Sequence, residues 1–249
     1  MHDDWVIVTG ASSGVGRAVA IQLAHDGFGV VLVARDHNRL AEIAGQVGET
    51  HCRIRECDLS DVASIAGLCD DIYGEVGPIR GLVHAAGMMG MCPMSMNTYA
   101  RALRFFNVHF FAALELIRCL SAPQKHTAGS SIVLVSSVAA HCGDAGNAVY
   151  AAAKGALEGL LLPASAELAP HGIRINAVVL GLVGTPPTAD ALMRKDLDQK
   201  RRTLANFPLG LGTPEDAAGL IAFLMSDRAR WITGSLMWAD GGFRSRPIV

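Results

Sequence analysis

The segment "NAVYAAAKGAL", residues 147–157, sets one phenol and one ammonium four positions apart in a run of alanine and other small residues. On a helix that spacing puts Tyr150 and Lys154 on one face. A phenol ordinarily titrates near ~10, too high for ready proton exchange at neutral pH, and a neighbouring positive charge pulls that value down. The pair therefore reads as a proton donor and its electrostatic support for chemistry at a substrate oxygen. A structural alternative uses the same residues: a tyrosine lying against a core and a lysine snorkelling outward.

A second chemical motif stands near the start, where the apolar run "WVIVTG" leads into "TGASSGVGRA". Gly10, Gly14 and Gly16 let the chain turn sharply, admit a diphosphate close to the backbone and bring a helix start down on a sheet. Gly10, Ser12, Ser13, Gly14, Val15 and Gly16 are the candidate phosphate contacts, because unpaired N–H groups at a helix N-terminus carry partial positive charge. At the end of the next apolar run, where a ribose-binding carboxylate would mark NAD, stand Ala34 and Arg35. A guanidinium there pairs with a 2′-phosphate and stacks on adenine, so the expected cofactor is NADP(H). Asp36, one place further on, is the competing carboxylate.

These residues need elements to hold them. Short β-rich runs, "WVIVTG", "VVLVAR", "CRIREC", "IRGLVHAAG", "SSIVLVSS", "GIRINAVVL" and "GSLMWADGG", alternate with longer stretches of helical period. Among the latter are one long helix across "YARALRFFNVHFFAALELIRCL" and another across "AVYAAAKGALEGLLLPASAELAPHG". The alternation predicts an α/β fold: a doubly wound, seven-stranded parallel sheet with helices on both faces, forming one domain over residues 1–249. No repeat or low-complexity linker interrupts it. The least regular stretch, about residues 182–210, is assigned to the substrate pocket, either as a mobile lid or as a surface excursion of helices.

Composition narrows the class. Half of the chain is apolar (51%) and the formal net charge is −2, with no basic block to hold a nucleic acid or a membrane surface. Six scattered cysteines without a CxxC pair read as reduced thiols of a cytoplasmic protein. The acidic start "MHDDW" lacks the basic region of a signal peptide, and no apolar run is long enough for a membrane span. The histidines have no metal-ligand spacing, so no metal is expected.

"TGASSGVG" together with "YAAAK" resembles the short-chain dehydrogenase/reductase family, and the resemblance runs along essentially the whole chain. It implies a single-domain Rossmann fold, a homotetramer or homodimer, and hydride transfer between a nicotinamide and an alcohol/carbonyl pair. Carried over by position, Asn107, Ser137, Tyr150 and Lys154 are the implied catalytic residues. Ser137 donates to the substrate oxygen, Lys154 also holds the nicotinamide ribose, and the Asn107 amide holds a water that passes protons to Lys154. Asp58 and Leu59 match the adenine contacts, Ala86 and Gly87 the segment ending the fourth strand, and Gly181, Val183 and Thr185 the nicotinamide side. Two departures stand out. The family's "NNAG" is "HAAG" here, which puts His84 and Ala85 in place of amides, and Leu180-Gly181 replaces Pro-Gly, which predicts a less rigid turn. His84 reads best as a hydrogen-bonded histidine at a strand end. His141 and Cys142 either line the pocket or are loop residues.

Five methionines (Met88, Met89, Met91, Met94, Met96) follow the fourth strand and predict an adaptable apolar wall for the substrate. The expected substrate is a ketone or a 3-oxoacyl thioester. Only Lys125 and Arg174 lie near the surface a carrier protein would use, which leaves such docking open. An NADP-dependent alcohol or hydroxysteroid dehydrogenase is the alternative within the same chemistry, and a non-catalytic dinucleotide-sensing or scaffold protein is the alternative outside it.

Overall fold

The computed structural model describes residues 4–48 and 51–245. Strands β1 (Trp5–Thr9) and β2 (Gly29–Ala34) are buried at every position, as a sheet covered on both faces requires. They join β3 (Cys52–Glu56), β4 (Ile79–His84), β5 (His126–Ser137), β6 (Arg174–Leu180) and β7 (Leu236–Ala239) in one parallel sheet of order β3-β2-β1-β4-β5-β6-β7. Alternation along each strand decides which helix its side chains meet. Val6 and Val8 face α1 (Gly14–His25), α2 (His37–Val47) and a helix at Pro214–Met225, while Ile7 faces α3 (Ile65–Val76) and the helices that follow β4 and β5. The sheet order reverses between β1 and β4, which opens a crevice at their carboxyl ends. Among the described residues no helix is long and apolar enough to cross a membrane.

The long helix expected after β4 is interrupted. It comprises α4 (Tyr99–Phe106), a π-helical turn over Asn107–Phe111 and α5 (Ala112–Ser121). The physical reason is a side chain from the sheet: a His84 ring nitrogen, Nε2, lies 3.1 Å from the Val108 carbonyl and competes with the helix's own ladder for it.

The next helix, α6, is continuous over Ala148–Leu168 despite Pro163. The stretch after β6 is less irregular than its composition suggested, because α7 (Pro186–Met193) and α8 (Leu197–Leu204) lie within it. Both helices carry start signals, a proline in the first turn of α7 and a reciprocal Asp196/Gln199 capping box at α8. Last among the helices, α9 is the Pro214–Met225 segment. The expected loose turn at Leu180-Gly181 is instead pinned: the Gly181 N–H donates to the Ala239 carbonyl at 3.0 Å, and a Cβ there would lie 2.7 Å from the Asp240 carbonyl oxygen.

Gly10 closes the β1–α1 turn at φ +67°, where a Cβ would come within 2.8 Å of the Ala86 main chain. Gly10→Ala is therefore expected to cost about 2–4 kcal/mol, from left-handed strain plus displacement of the β4 end. Chemical denaturation reads this directly, and an unchanged midpoint would contradict the close approach.

Candidate active site

Ser137 ends β5 in extended conformation, and its Oγ accepts the Ala139 N–H at 3.2 Å, starting a short 3-10 turn over Val138–His141. That bond occupies a lone pair and leaves the O–H to donate. Tyr150 sits in the first turn of α6, with Ser137 close enough to act on its hydroxyl. One turn on, Lys154 is 4% exposed and donates to the Val135 carbonyl at 2.7 Å, with Nζ 5.9 Å from the Tyr150 ring centroid. Burial pulls its ammonium down to about 7, against the field of Glu158 a turn further along. The phenol is pushed up by burial, with the Ser137 bond pulling the other way. In the protein alone burial, not the Lys154 ammonium, sets the direction of the Tyr150 shift, where the spacing had led to the expectation of a phenol acidified by Lys154.

Glu158 continues the Tyr150/Lys154 face. It accepts from Ser136 Oγ at 2.5 Å and pairs with His141 Nε2 at 2.7 Å, while the His141 ring packs on Trp238 at 4.6 Å between centroids. His141 thus supports the carboxylate beneath Lys154.

The "HAAG" segment is satisfied internally. His84 is fully buried, and because the Val108 carbonyl only accepts, its Nε2 carries the proton and its Nδ1 accepts the Thr9 hydroxyl at 3.1 Å. Thr9 Oγ1 in turn accepts the Ala86 N–H at 3.1 Å. Desolvation brings the imidazole down to about 3, which keeps it neutral, so His84 is the hydrogen-bonded strand-end residue its position suggested.

Ser137, Tyr150 and Lys154 come together here, and Asn107, at the start of the π-helical turn, donates its amide to the Ser60 carbonyl at 2.9 Å. The polar side chain of this turn that reaches the cluster is His109, which is 1% exposed, with its ring edge-on to Tyr150 at 5.4 Å and Nε2 within about 3 Å of the Met88 backbone. Residue type pointed to Asn107; helical period points to His109, since Phe105, His109, Ala112 and Leu116 make the buried face.

The cofactor side fits a dinucleotide. Asp36, Thr98, Asp196 and Thr213 cap their helices with side-chain oxygens, whereas Ser13 at the start of α1 makes no such bond and leaves the first-turn N–H groups to an anion. A Cβ at Gly14 would lie 2.9 Å from Thr185 Cγ2, so the phosphate loop borders the segment after β6, where Val183 bridges to Gly212. Arg35 is exposed at the end of β2. The Asp36 carboxylate accepts the Arg39 N–H at 3.1 Å and pairs with the Arg39 side chain at 3.3 Å. Asp58 accepts the Ser60 N–H at 2.9 Å, and that bond foremost holds its carboxyl below the usual range. Leu59 and Ala86 are buried, and Gly87 is exposed. No group of three or more His, Cys, Asp or Glu among the described residues is arranged to hold a metal ion.

Comparison with known proteins places this geometry among relatives. A family model described as "Enoyl-(Acyl carrier protein) reductase" matches residues 10–244. The chain is 34% identical over 255 residues to an L-rhamnose 1-dehydrogenase (NAD(P)(+)) of Azotobacter vinelandii, covering 96% of each chain. It is 30% identical over 250 residues to a cyclopentanol dehydrogenase of a Comamonas species, covering 98% of each. A crystal structure of a short-chain dehydrogenase/reductase of the glucose/ribitol dehydrogenase type from Brucella melitensis superposes with a TM-score of 0.89 at 30% identity, covering 98% of this chain and 97% of that one.

Proposed function

Because the chain belongs to the short-chain dehydrogenase/reductase family, we propose that it is an NADP(H)-dependent oxidoreductase that interconverts an apolar ketone and its secondary alcohol. The observation that carries this reading is the convergence of Ser137, Tyr150 and Lys154 at the end of β5, in a fold whose α1 N-terminus is left uncapped.

When bound, the nicotinamide supplies a hydride to the carbonyl carbon. The protein's own residues manage the oxygen. Ser137, with a lone pair tied to Ala139, donates its O–H and orients the carbonyl. Tyr150 transfers its proton to the oxygen as negative charge grows there, and Lys154 stabilises the phenolate left behind. One Lys154 N–H goes to Val135, and the other two are free to hold ribose hydroxyls. Run oxidatively, the same group accepts the alcohol proton.

The α1 N-terminus would hold the diphosphate, Asp58 the adenine and Thr185 the carboxamide side. Arg35 is assigned to the 2′-phosphate, since the nearest carboxylate is engaged as a helix cap. A charge-assisted bond of this kind contributes about 1.5–3 kcal/mol. Arg35→Ala is therefore expected to raise KM for NADPH by about 10–100-fold and to leave KM for NADH nearly unchanged. Equal effects on both would remove Arg35 from the phosphate site.

Met89, Met91, Met94 and Met96 are all more than half exposed after β4, together with Tyr99, and offer an apolar surface without a charged clamp. Residues 182–210, with α7 and α8, close the other side of the proposed pocket. Carrier-protein docking gains no support: Arg174 is buried against the Leu224 carbonyl, and Lys125 leans on Asp70 and the Tyr73 ring. This favours a free ketone over a carrier-bound 3-oxoacyl thioester, and a name such as cyclopentanol dehydrogenase among the relatives points the same way. We further assign a homo-oligomer, with exposed Phe111, Leu114 and Leu162 on the two long-helix segments, and a reducing cytoplasmic setting in which the six cysteines form no disulfide.

The test is oxidation of NADPH and NADH by the purified protein against cyclic and linear ketones and a 3-oxoacyl thioester. Turnover of ketones with a preference for NADPH supports the reading; preference for the thioester moves it to acyl-chain reduction. Cofactor binding with no turnover in either direction would favour a sensing role.

A further inference from the structure

Nothing in the reaction just described uses His109, yet it is the most constrained polar side chain beside Tyr150. Its ring is held by Phe105 at 6.0 Å and by the Tyr150 edge at 5.4 Å. On a third side lies Gly87, where a Cβ would come within 2.6 Å of the His109 Cε1 and 3.2 Å of Nδ1. Only glycine leaves room for an imidazole there.

The two ring nitrogens have different surroundings. Nε2 lies 3.1 Å from the Met88 N–H nitrogen and 3.0 Å from the Met88 carbonyl oxygen. A neutral imidazole serves one of these at a time, donating to the carbonyl in one tautomer and accepting from the N–H in the other. Nδ1 has no hydrogen-bond partner in the protein although it is buried, in a molecule that satisfies nearly all such atoms. Its neighbour Gly87 is exposed at the crevice after β4. Burial foremost, and then the Lys154 charge, keep the ring neutral, with His84 as the other titratable group acting on it.

We propose that His109 is a positioning residue of this catalytic group: it fixes the Met88 end of the substrate wall against the Tyr150 ring and holds an unpartnered nitrogen, Nδ1, beside Gly87. The assignment rests on the proposed hydride-transfer reading and adds His109 to the residues around Tyr150. Met88 opens the methionine-rich wall, so an anchor at Met88 couples the place of the substrate to the place of the proton donor.

The test compares His109→Leu and His109→Gln in steady-state turnover. His109→Leu is expected to lower kcat by about 10–100-fold with KM for NADPH within about threefold. His109→Gln is expected to recover most of that loss, because its carboxamide ends as many bonds from Cβ as Nε2 does and can bond the Met88 backbone. Unchanged kcat in His109→Leu, or no recovery in His109→Gln, overturns the assignment while leaving the reaction itself intact. A measurement independent of turnover covers a poorly folded variant or an inactive preparation. Nitrogen NMR of the wild-type histidine rings is expected to show a neutral His109 whose signals move on Lys154→Met. Signals indifferent to that change count against the proposal, whatever the substrate.

Discussion

Tyr150→Phe is expected to lower kcat by about 10³-fold in either reaction direction. The substitution keeps the ring that packs on His109 and lies near Lys154, and removes only the O–H, on which Ser137 acts. The hydroxyl is the one group placed to move a proton at the substrate oxygen, so the loss falls on kcat. KM for the cofactor should stay within a few-fold, because the α1 N-terminus and Arg35 are untouched. Stability should change by about 1 kcal/mol, the usual net value of one neutral hydrogen bond. Retention of kcat within tenfold would mean that another group delivers the proton.

Lys154→Met should produce an opposite pair of effects, a loss of kcat of about 10²–10⁴-fold and a gain in stability. The gain follows from the burial of an ammonium whose folded value is about 7 against 10.5 for the free side chain. Between those two values the unfolded chain holds a proton that the folded chain does not, so wild-type stability rises with pH across that window. Below about 7 both states are charged and the folded protein carries the full penalty, on the order of 3–5 kcal/mol. The methionine variant escapes it. Its advantage in denaturation midpoint should be greatest near pH 6 and shrink as pH rises toward 10.5, because wild-type Lys154 is neutral in both states only above that value. An advantage that is constant with pH would mean that Lys154 is not desolvated as the structure has it. The two effects together would show a residue kept for chemistry at a cost to the fold.

How far the sequence reaches is clearest at particular positions. Strands β1 and β2 were legible because each is a short apolar run, rich in β-branched residues and followed by turn residues, and the sheet leaves no exposed position along either. Tyr150 and Lys154 were legible because local helical spacing alone puts them together. The interruption of the long helix at Asn107–Phe111 was not, because it depends on His84, a residue distant in sequence, reaching the Val108 carbonyl across the fold. The two helices at 186–204 were hidden by their polarity: α8 has no buried residue, so it carries no apolar period to read, only its capping box. The direction of the Tyr150 shift was missed for another reason. Charge spacing is written in the sequence, but desolvation is a property of the packed molecule.

The most direct test of the central claim follows one atom. NADPH carrying deuterium at the transferring position of the nicotinamide is incubated with the enzyme and a cyclic ketone such as cyclopentanone, and the product is examined by mass spectrometry. The expected product is an alcohol with a single deuterium on the former carbonyl carbon, formed by the wild-type protein and reduced to trace by Tyr150→Phe. Cofactor binding without deuterated alcohol from any ketone or thioester offered, or equal product from the Tyr150→Phe variant, would contradict it.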